Sequence, residues 1–470
     1  MSAGGALTQV VGKGAQDAYL TSNPSVTFFK SVYRRYTNFA MESVEQTWTG
    51  DADFSKKVVC TITRTGDLLY KLYLQLQLPA LETSYIVDPD TANSQLDQLT
   101  YINSVGNMVM ETIKLEIGGQ EVDKHTGEWL EIWSELTETA EKKDGYGEMI
   151  GKQDADIGLK NSATISQLLF VPLRFWFTQS TGLALPLVAI QFHDTKIHVD
   201  FRPRMECIIA IRADGDRIRN EPSGNPPGTG YVLTSAGQSA IHFEYCQLWA
   251  TYVYLDTVER TRFASQPHEY LVDQLQYTSA ETIQLTENKV HQTRIPFNHP
   301  TKVLIWRAQR ETNGSVGGNV ARNDWTNFST ADPGEREETP YTGDILDPEM
   351  GAIKITLNGK DRFSARSAKY FRLVQPYDSF TRVPSKHIYV YSLAINPEDP
   401  QPSGSVNLSR IENVFINIRL SKNSLASPDH ATSPYGEVFG TDAYGTFIIY
   451  GINHNIFRIV SGMAGMAYAS

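Results

Sequence analysis

A strand-and-turn pattern occurs twice in this chain, 240 residues apart. Residues 113–121 (Ile-Lys-Leu-Glu-Ile-Gly-Gly-Gln-Glu) match residues 353–361 (Ile-Lys-Ile-Thr-Leu-Asn-Gly-Lys-Asp) almost position for position. In each copy apolar residues alternate with others, which predicts a half-buried strand. The dipeptides that follow, Gly118-Gly119 and Asn358-Gly359, are typical of two-residue hairpin turns. The spacing is about half of the 470 residues and indicates two tandem copies of one all-β domain.

Further apolar runs follow in the same order in both halves of the chain. They lie at 68–78, 170–177, 192–201 and 241–255, and again at 270–277, 302–306, 388–395, 414–420 and 447–459. Long polar stretches at 142–162, 214–230 and 311–341 are predicted loops. Helices are expected only as short inserts, one of them carrying Trp129, Ile132, Trp133 and Leu136. This pattern favours an all-β fold of two tandem eight-stranded jelly rolls.

The pattern also gives domain boundaries. We expect an N-terminal arm at 1–40, a first jelly roll at 41–256, a linker at 257–269 and a second jelly roll at 270–470. Asp256 and Glu259 have the spacing of a capping box, which predicts a short helix at the start of the linker.

The arm differs from the rest of the chain. Asn23-Pro24 is a favourable helix start, and it predicts a short amphipathic helix with an apolar face and basic residues around it: Phe28, Phe29, Lys30, Val32, Tyr33, Arg34 and Arg35. Residues 1–40 carry a charge of +3 within a chain of −11, so −14 lies elsewhere. The arm is therefore expected to face a partner that the acidic body does not. The alternative is a helix packed on its own domain.

Composition narrows the function classes. The chain is 41% hydrophobic and 20% charged, as expected of a globular protein, and its negative charge argues against a nucleic-acid coat. Three widely spaced cysteines, Cys60, Cys207 and Cys246, are expected to be buried free thiols, which indicates folding in a reducing compartment. The sequence shows neither a signal-peptide pattern nor 18 consecutive apolar residues, so we expect a soluble product made in the cytosol.

Catalytic motifs are not apparent. A cupin enzyme would need His-x-His, and none of the ten histidines forms it, although His198 and Asp200 share a strand face. The chain also contains no phosphate-binding loop with Gly-Lys-Ser/Thr and no Gly-x-Ser-x-Gly elbow. We therefore expect a non-enzyme without cofactor or metal.

Blocks along the whole chain resemble one known family. They include Gly14-Ala-Gln-Asp-Ala-Tyr-Leu-Thr-Ser-Asn23-Pro24, Leu357-Asn-Gly-Lys-Asp-Arg-Phe363 and Phe457-Arg-Ile-Val-Ser-Gly-Met463, together with 27–39, 182–191, 259–271, 297–302, 401–404 and 409–411. In this order they are similar to the major capsid proteins of nucleocytoplasmic large DNA viruses. The segments that do not match, 140–165, 210–240 and 311–345, coincide with the predicted loops.

The resemblance implies a double jelly-roll capsid protein that forms homotrimeric, pseudo-hexameric capsomers on an icosahedral shell. Its expected partners are further copies of itself, minor capsid proteins under the shell and an internal membrane surface, with no direct nucleic-acid binding. The expected location is the virion capsid, assembled in the host cytoplasm.

Two other classes remain open from the residues. A tandem jelly-roll lectin could bind glycans through its loops, with Trp325 and Tyr341 stacking on sugar rings. A bicupin enzyme would need a bound metal ion.

Overall fold

The computed structural model describes residues 4–87, 96–152, 165–212, 217–220, 230–284, 290–310, 323, 325–328, 350–420 and 444–468. Its contacts divide the chain into an arm, Met1–Phe39, and a body, Ala40–Ser470. Among the described residues, no helix is both long enough and apolar enough to cross a membrane.

The arm contains two short helices, α1 (Gly4–Val11) and α2 (Ala18–Thr21), and no regular structure from residue 22 to residue 38. The prediction of a short amphipathic helix after Asn23-Pro24 is therefore wrong. Asn23 has a left-handed φ of 50°. Phe28, Phe29, Val32 and Tyr33 are 81–98% exposed. A helix this short is marginal in water unless its apolar face is buried, and this face is not.

The first barrel is built from β1 to β14, with short helices between the strands. The strands are β1 (Phe39–Gln46), β2 (Trp48–Thr49), β3 (Lys57–Thr61), β4 (Leu68–Leu78), β5 (Ile86–Val87), β6 (Leu96–Tyr101), β7 (Met110–Ile117), β8 (Gln120–Thr126), β9 (Gln167–Pro172), β10 (Thr195–Phe201), β11 (Ile208–Arg212), β12 (Arg217–Asn220), β13 (Gly230–Leu233) and β14 (Tyr245–Leu255). The helices are α3 (Val105–Met108), α4 (Gly127–Thr137), α5 (Ala140–Ile150), α6 (Trp176–Gln179) and α7 (Ser235–Ala240).

The second barrel follows α8 (Thr257–Ser265). Its strands are β15 (His268–Tyr277), β16 (Glu281–Gln284), β17 (Val290–Arg294), β18 (Pro300–Arg310), β19 (Met350–Leu357), β20 (Lys360–Asp361), β21 (Arg366–Ser367), β22 (Tyr389–Ser392), β23 (Val406–Asn407), β24 (Val414–Leu420), β25 (Tyr444–Val460) and β26 (Met463–Met466). A π-helical turn, Tyr370–Val374, leads directly into α9 (Gln375–Ser379).

Strand order shows that the barrels are copies of one topology. The first barrel pairs β1-β14-β4-β9 in one sheet and β3-β10-β7-β8 in the other, with β2 beside β3. The second pairs β15-β25-β18-β22 and β17-β24-β19-β20. Each of the eight strands β1, β3, β4, β7, β8, β9, β10 and β14 thus has a counterpart in the second barrel at the same place in the sheet and in the same chain order. Eight strands in two facing sheets confirm the predicted double jelly roll.

The cores lie between the facing sheets. On β4, Leu72, Leu74 and Leu76 are fully buried, and on β18 the counterparts are Leu304, Trp306 and Ala308. The alternating strand positions point to the opposite face, as the pleat requires. All three cysteines are buried and unpaired, and burial raises the pKa of the Cys60 thiol to about 11 and that of Cys207 to about 12.

Some predicted boundaries differ from the structure. The polar stretch at 142–162 overlaps α5, whose Tyr146 and Ile150 are buried, and residues 153–164 lie outside the described part. The apolar run at 170–177 is not one strand, because β9 ends at Pro172 and α6 begins at Trp176. The predicted linker helix is α8, and Asp256 accepts a hydrogen bond from the Glu259 amide at 2.8 Å.

The repeated pattern forms the same hairpin in both barrels, β7–β8 and β19–β20. φ is positive at both central residues of each turn: 60° and 83° at Gly118-Gly119, and 49° and 77° at Asn358-Gly359. This is the geometry of a type I′ turn. The first turn residue also donates its N–H to the residue just before the neighbouring strand, Asp194 before β10 at 3.0 Å and Asn413 before β24 at 2.7 Å.

The equivalence of the turns predicts equivalent mutational costs. Gly119→Val and Gly359→Val should each destabilise the protein by about 1–3 kcal/mol, because a β-branched residue is strained at positive φ. An added Cβ meets no atom within 4 Å at either site, so backbone strain is the cause under test. Chemical denaturation followed by tryptophan fluorescence measures the change.

Gly145→Ala is the matched control for these two variants. Gly145 lies in α5, where an added Cβ also meets nothing within 4 Å, and alanine should be neutral or stabilising there. If one turn variant is silent while the other unfolds its barrel, the turns are not equivalent.

Candidate functional site: the junction between the two barrels

Helix α4, which is inserted in the first barrel, packs against the second barrel. The Thr126 side chain caps its start by accepting a hydrogen bond from the Trp129 amide at 3.2 Å. Trp129, Ile132 and Leu136 recur at helical spacing and pack in a cluster with residues of the second barrel's sheet: Val303, Ile305, Val390, Tyr450 and Ile452. The Trp129 and Tyr450 rings are 5.4 Å apart. A helix inserted in the first barrel thus covers the outer face of the second barrel's β25-β18-β22 sheet.

The same helix buries three carboxylates, Glu128, Glu131 and Glu135, which are at most 8% exposed. The second barrel supplies a cation for each. Lys386 Nζ lies 2.6 Å from Glu131 Oε1, Arg382 Nη2 lies 2.8 Å from Glu135 Oε2, and Arg307 pairs with Glu128.

The first barrel adds Lys152, whose Nζ lies 2.5 Å from Glu135 Oε1 and 3.8 Å from Glu131 Oε1. Lys152 thereby links the Glu131–Lys386 and Glu135–Arg382 pairs into one buried ionic network across the junction, and Glu128–Arg307 adds a further ion pair between the barrels.

The network determines the charge state of its members. Burial by itself raises the pKa of Glu135, but Lys386, Lys152 and Arg382 outweigh burial and bring that pKa down to about 2. The pKa of Glu131 is likewise lowered, against its burial, by Lys386 and Lys152. Both carboxylates are therefore ionised at neutral pH, and their charge is balanced only when the barrels are in contact.

A second contact between the barrels involves Trp325, which comes after β18 in the sequence. Trp325 is 6% exposed, its Nε1 donates to the Glu206 carbonyl at 3.0 Å, and the Arg202 guanidinium lies 3.9 Å from its ring centre. Nearby, the Asn323 side chain donates to the carbonyls of Met205 and Ile208. The prediction of Trp325 as a sugar-stacking residue is wrong, because its ring is buried against the first barrel. Tyr341 lies outside the described residues.

The end of the chain also crosses the junction. Phe457 and Ile459 of β25 and Ala464 of β26 are buried in the core cluster of the first barrel. The Gly462 carbonyl accepts the Gln191 amide at 3.0 Å, and His193 Nδ1 lies 2.8 Å from the Ala464 carbonyl. The first barrel therefore includes side chains from within the predicted second domain, 270–470.

Acid should weaken this junction. The folded-state pKa of Glu135 is depressed, so its contribution is complete above the ordinary value of 4.5 and disappears as the pH falls toward about 2. Glu135→Gln should destabilise the protein by about 3–5 kcal/mol at pH 7, because it leaves buried cations unpaired. It should also flatten the pH dependence of the melting temperature between pH 4.5 and 2.

Glu121→Gln is the matched control, since it removes an exposed carboxylate paired with Lys114 at 3.6 Å. It should change stability by less than about 1 kcal/mol. Equal effects of the two substitutions in calorimetric melts would contradict a stabilising role for the buried network.

Two family profiles together match nearly the whole chain. The profile described as the major capsid protein N-terminus matches residues 27–256, and the one described as the large eukaryotic DNA virus major capsid protein matches residues 259–465. The boundary between them coincides with the start of α8.

Relatives that align along their whole length point to the same family. The major capsid protein of Pyramimonas orientalis virus is 36% identical and that of Paramecium bursaria Chlorella virus 1 (PBCV-1) is 35% identical; each alignment covers 99% of this chain and 100% of the relative.

Solved structures show the same fold. A chain of the PBCV-1 virus capsid superimposes with a TM-score of 0.71 at 30% identity, covering 94% of this chain and 100% of that one. The Faustovirus major capsid protein gives a TM-score of 0.68 at 14% identity, covering 97% of this chain and 96% of that chain, a likeness of fold alone. The chain belongs to the major capsid protein family of large eukaryotic DNA viruses.

Proposed function

We propose that this capsid protein acts as a homotrimer whose six barrels form a pseudo-hexameric capsomer. The observation that carries the proposal is the matching strand order of the two barrels in each chain. Three chains then supply six wedges of nearly equal shape. A near-hexagonal block tiles a flat facet of an icosahedral shell, and closed three-fold symmetry prevents open-ended growth.

The packing and ion pairs at the junction support this assembly. A ring of six wedges closes only if the angle between the two barrels of a chain is constant. The apolar face of α4 and its buried ionic network provide that constancy, because a shifted barrel would leave charges unpaired in an apolar environment.

We further propose that the arm faces the particle interior. Phe28, Phe29, Val32 and Tyr33 are exposed. Near them Lys30, Arg34 and Arg35 add positive charge. Such a segment suits minor capsid proteins or the anionic surface of an internal membrane, where each basic residue contributes about 1 kcal/mol. The net negative charge outside the arm disfavours direct nucleic-acid binding. We therefore propose that assembly, in the host cytoplasm, depends on contacts with proteins and lipid.

The trimer proposal predicts a mass. Light scattering on a size-exclusion column should give about three times the 52.6 kDa of the chain. Obligate interfaces of this kind are large and partly apolar, so the trimer should persist at micromolar concentration. A stable monomer under these conditions would contradict the pseudo-hexamer.

If the arm faces the particle interior, changes in the arm should impair shell assembly without impairing the folding of the trimer. Deleting residues 1–25, combined with Arg34→Glu and Arg35→Glu, should leave trimers with near-native melting but abolish shell assembly in electron micrographs. Arg34→Lys with Arg35→Lys is the control in the full-length chain, and it should assemble because the charge is kept. Loss of the trimer itself would show that the arm is instead a structural part of the capsomer.

A further inference from the structure

The contact between the barrels is made by an insert at a defined place in the strand order. Helix α4 belongs to the insert between β8 and β9 of the first barrel, and it lies on the outer face of the second barrel's β25-β18-β22 sheet. Because the barrels share one strand order, the second barrel has an insert at the same place. The first barrel likewise has an equivalent outer face on β14-β4-β9.

The equivalent insert is the helical segment 370–379, which lies between β21 and β22. Phe371 is fully buried in the second barrel's core and anchors the segment. Leu373, Val374 and Tyr377 point away from that core and are 37%, 43% and 78% exposed. The segment therefore presents an apolar surface without a partner among the described residues, where α4 presents Trp129, Ile132 and Leu136 to a sheet.

The equivalent outer face in the first barrel is also apolar in part. Three rows of residues cross it, as the strand register shows: Trp249–Tyr73–Pro172, Gln247–Gln75–Phe170 and Tyr245–Gln77–Leu168. Phe170 and Leu168, on the edge strand β9, are 38% and 48% exposed. The oxygen Oε1 of Gln247 is buried and accepts no hydrogen bond from the described residues.

We propose that segment 370–379 of one copy docks on the outer face of β14-β4-β9 of the next copy. This inference rests on the proposed trimer and assigns its interface. Within the described part of the chain, α4 makes a helix-on-sheet contact internally, while segment 370–379 and the outer face of β14-β4-β9 both carry exposed apolar residues. Three copies joined head to tail cover both surfaces on every copy and close the ring.

The composition of the two sheet faces fits this division. The internally covered face is apolar, with Tyr450 beside aliphatic residues, and it is fully buried around Val303 and Ile305. The free face mixes Tyr73 and Trp249 with glutamines. Aromatic side chains with polar neighbours are typical of surfaces that meet after folding, because they tolerate water in the free subunit.

Two complementary variants test the proposal. The helix variant carries Val374→Asp and Tyr377→Asp; the sheet variant carries Leu168→Asp and Phe170→Asp. Each should be monomeric by light scattering, because a carboxylate would be buried in the interface. Val290→Asp is the control, since Val290 is 53% exposed on β17, in the opposite sheet, and this variant should remain trimeric.

Mixing the two variants distinguishes the head-to-tail contact from general destabilisation. The sheet variant keeps an intact helix and the helix variant keeps an intact sheet, so one sound contact can form between them. The mixture should give a dimer of about twice 52.6 kDa and no trimer. A misfolded variant could not complement in this way. A mixture that remains monomeric, or either variant that remains trimeric, overturns the proposed interface.

A milder probe tests the interface in the assembled protein. With p-benzoylphenylalanine in place of Tyr377, irradiation of the trimer should cross-link this position to peptides containing 167–172 or 245–251 of another copy. Cross-links to other regions overturn the assignment while leaving the trimer intact. A wild-type chain that is not a trimer would instead overturn the proposed function.

Discussion

The pairing of α4 carboxylates with cations of the second barrel constrains how the two barrels pack against each other. A buried charge without its partner costs several kcal/mol, so Glu131 and Glu135 are tolerated only where Lys386 and Arg382 reach them. The apolar face of the helix supplies the driving force for contact, which is not directional. The ion pairs are directional and select one arrangement of the barrels. Apolar burial thus brings the barrels together, and charge determines their angle.

The local patterns of the sequence were sufficient to predict the barrels. Alternation with a period of two is a property of neighbouring residues, and so are the glycine turn at 118–119 and the cap at Asp256. The prediction of a helix in the arm is wrong because it, too, rests on a local pattern alone. Amphipathic spacing from Phe28 to Tyr33 shows that a helix would have an apolar face, but it does not show that any surface covers that face.

The junction could not be predicted in the same way. Glu131 and Lys386 are 255 residues apart in sequence, and no local pattern connects them. Three glutamates at helical spacing in α4 were visible, but such carboxylates are usually solvated. Trp325 is the opposite case, a residue predicted to be exposed that is buried. An aromatic residue in a predicted polar loop suggested a ligand-stacking surface, whereas the Trp325 ring is buried against the first barrel.

The path of β25 has a consequence for synthesis of the chain on the ribosome. This strand begins in the second barrel, and its last residues, Phe457 and Ile459, complete the core of the first. These two side chains are translated roughly 200 residues after β14, the last strand of the first barrel, which is a delay of about 10–40 s. Until then the core cluster of the first barrel lacks Phe457 and Ile459. A nascent or truncated chain that ends before Phe457 therefore lacks part of the buried surface of the first barrel, although that barrel's own strands have all been translated.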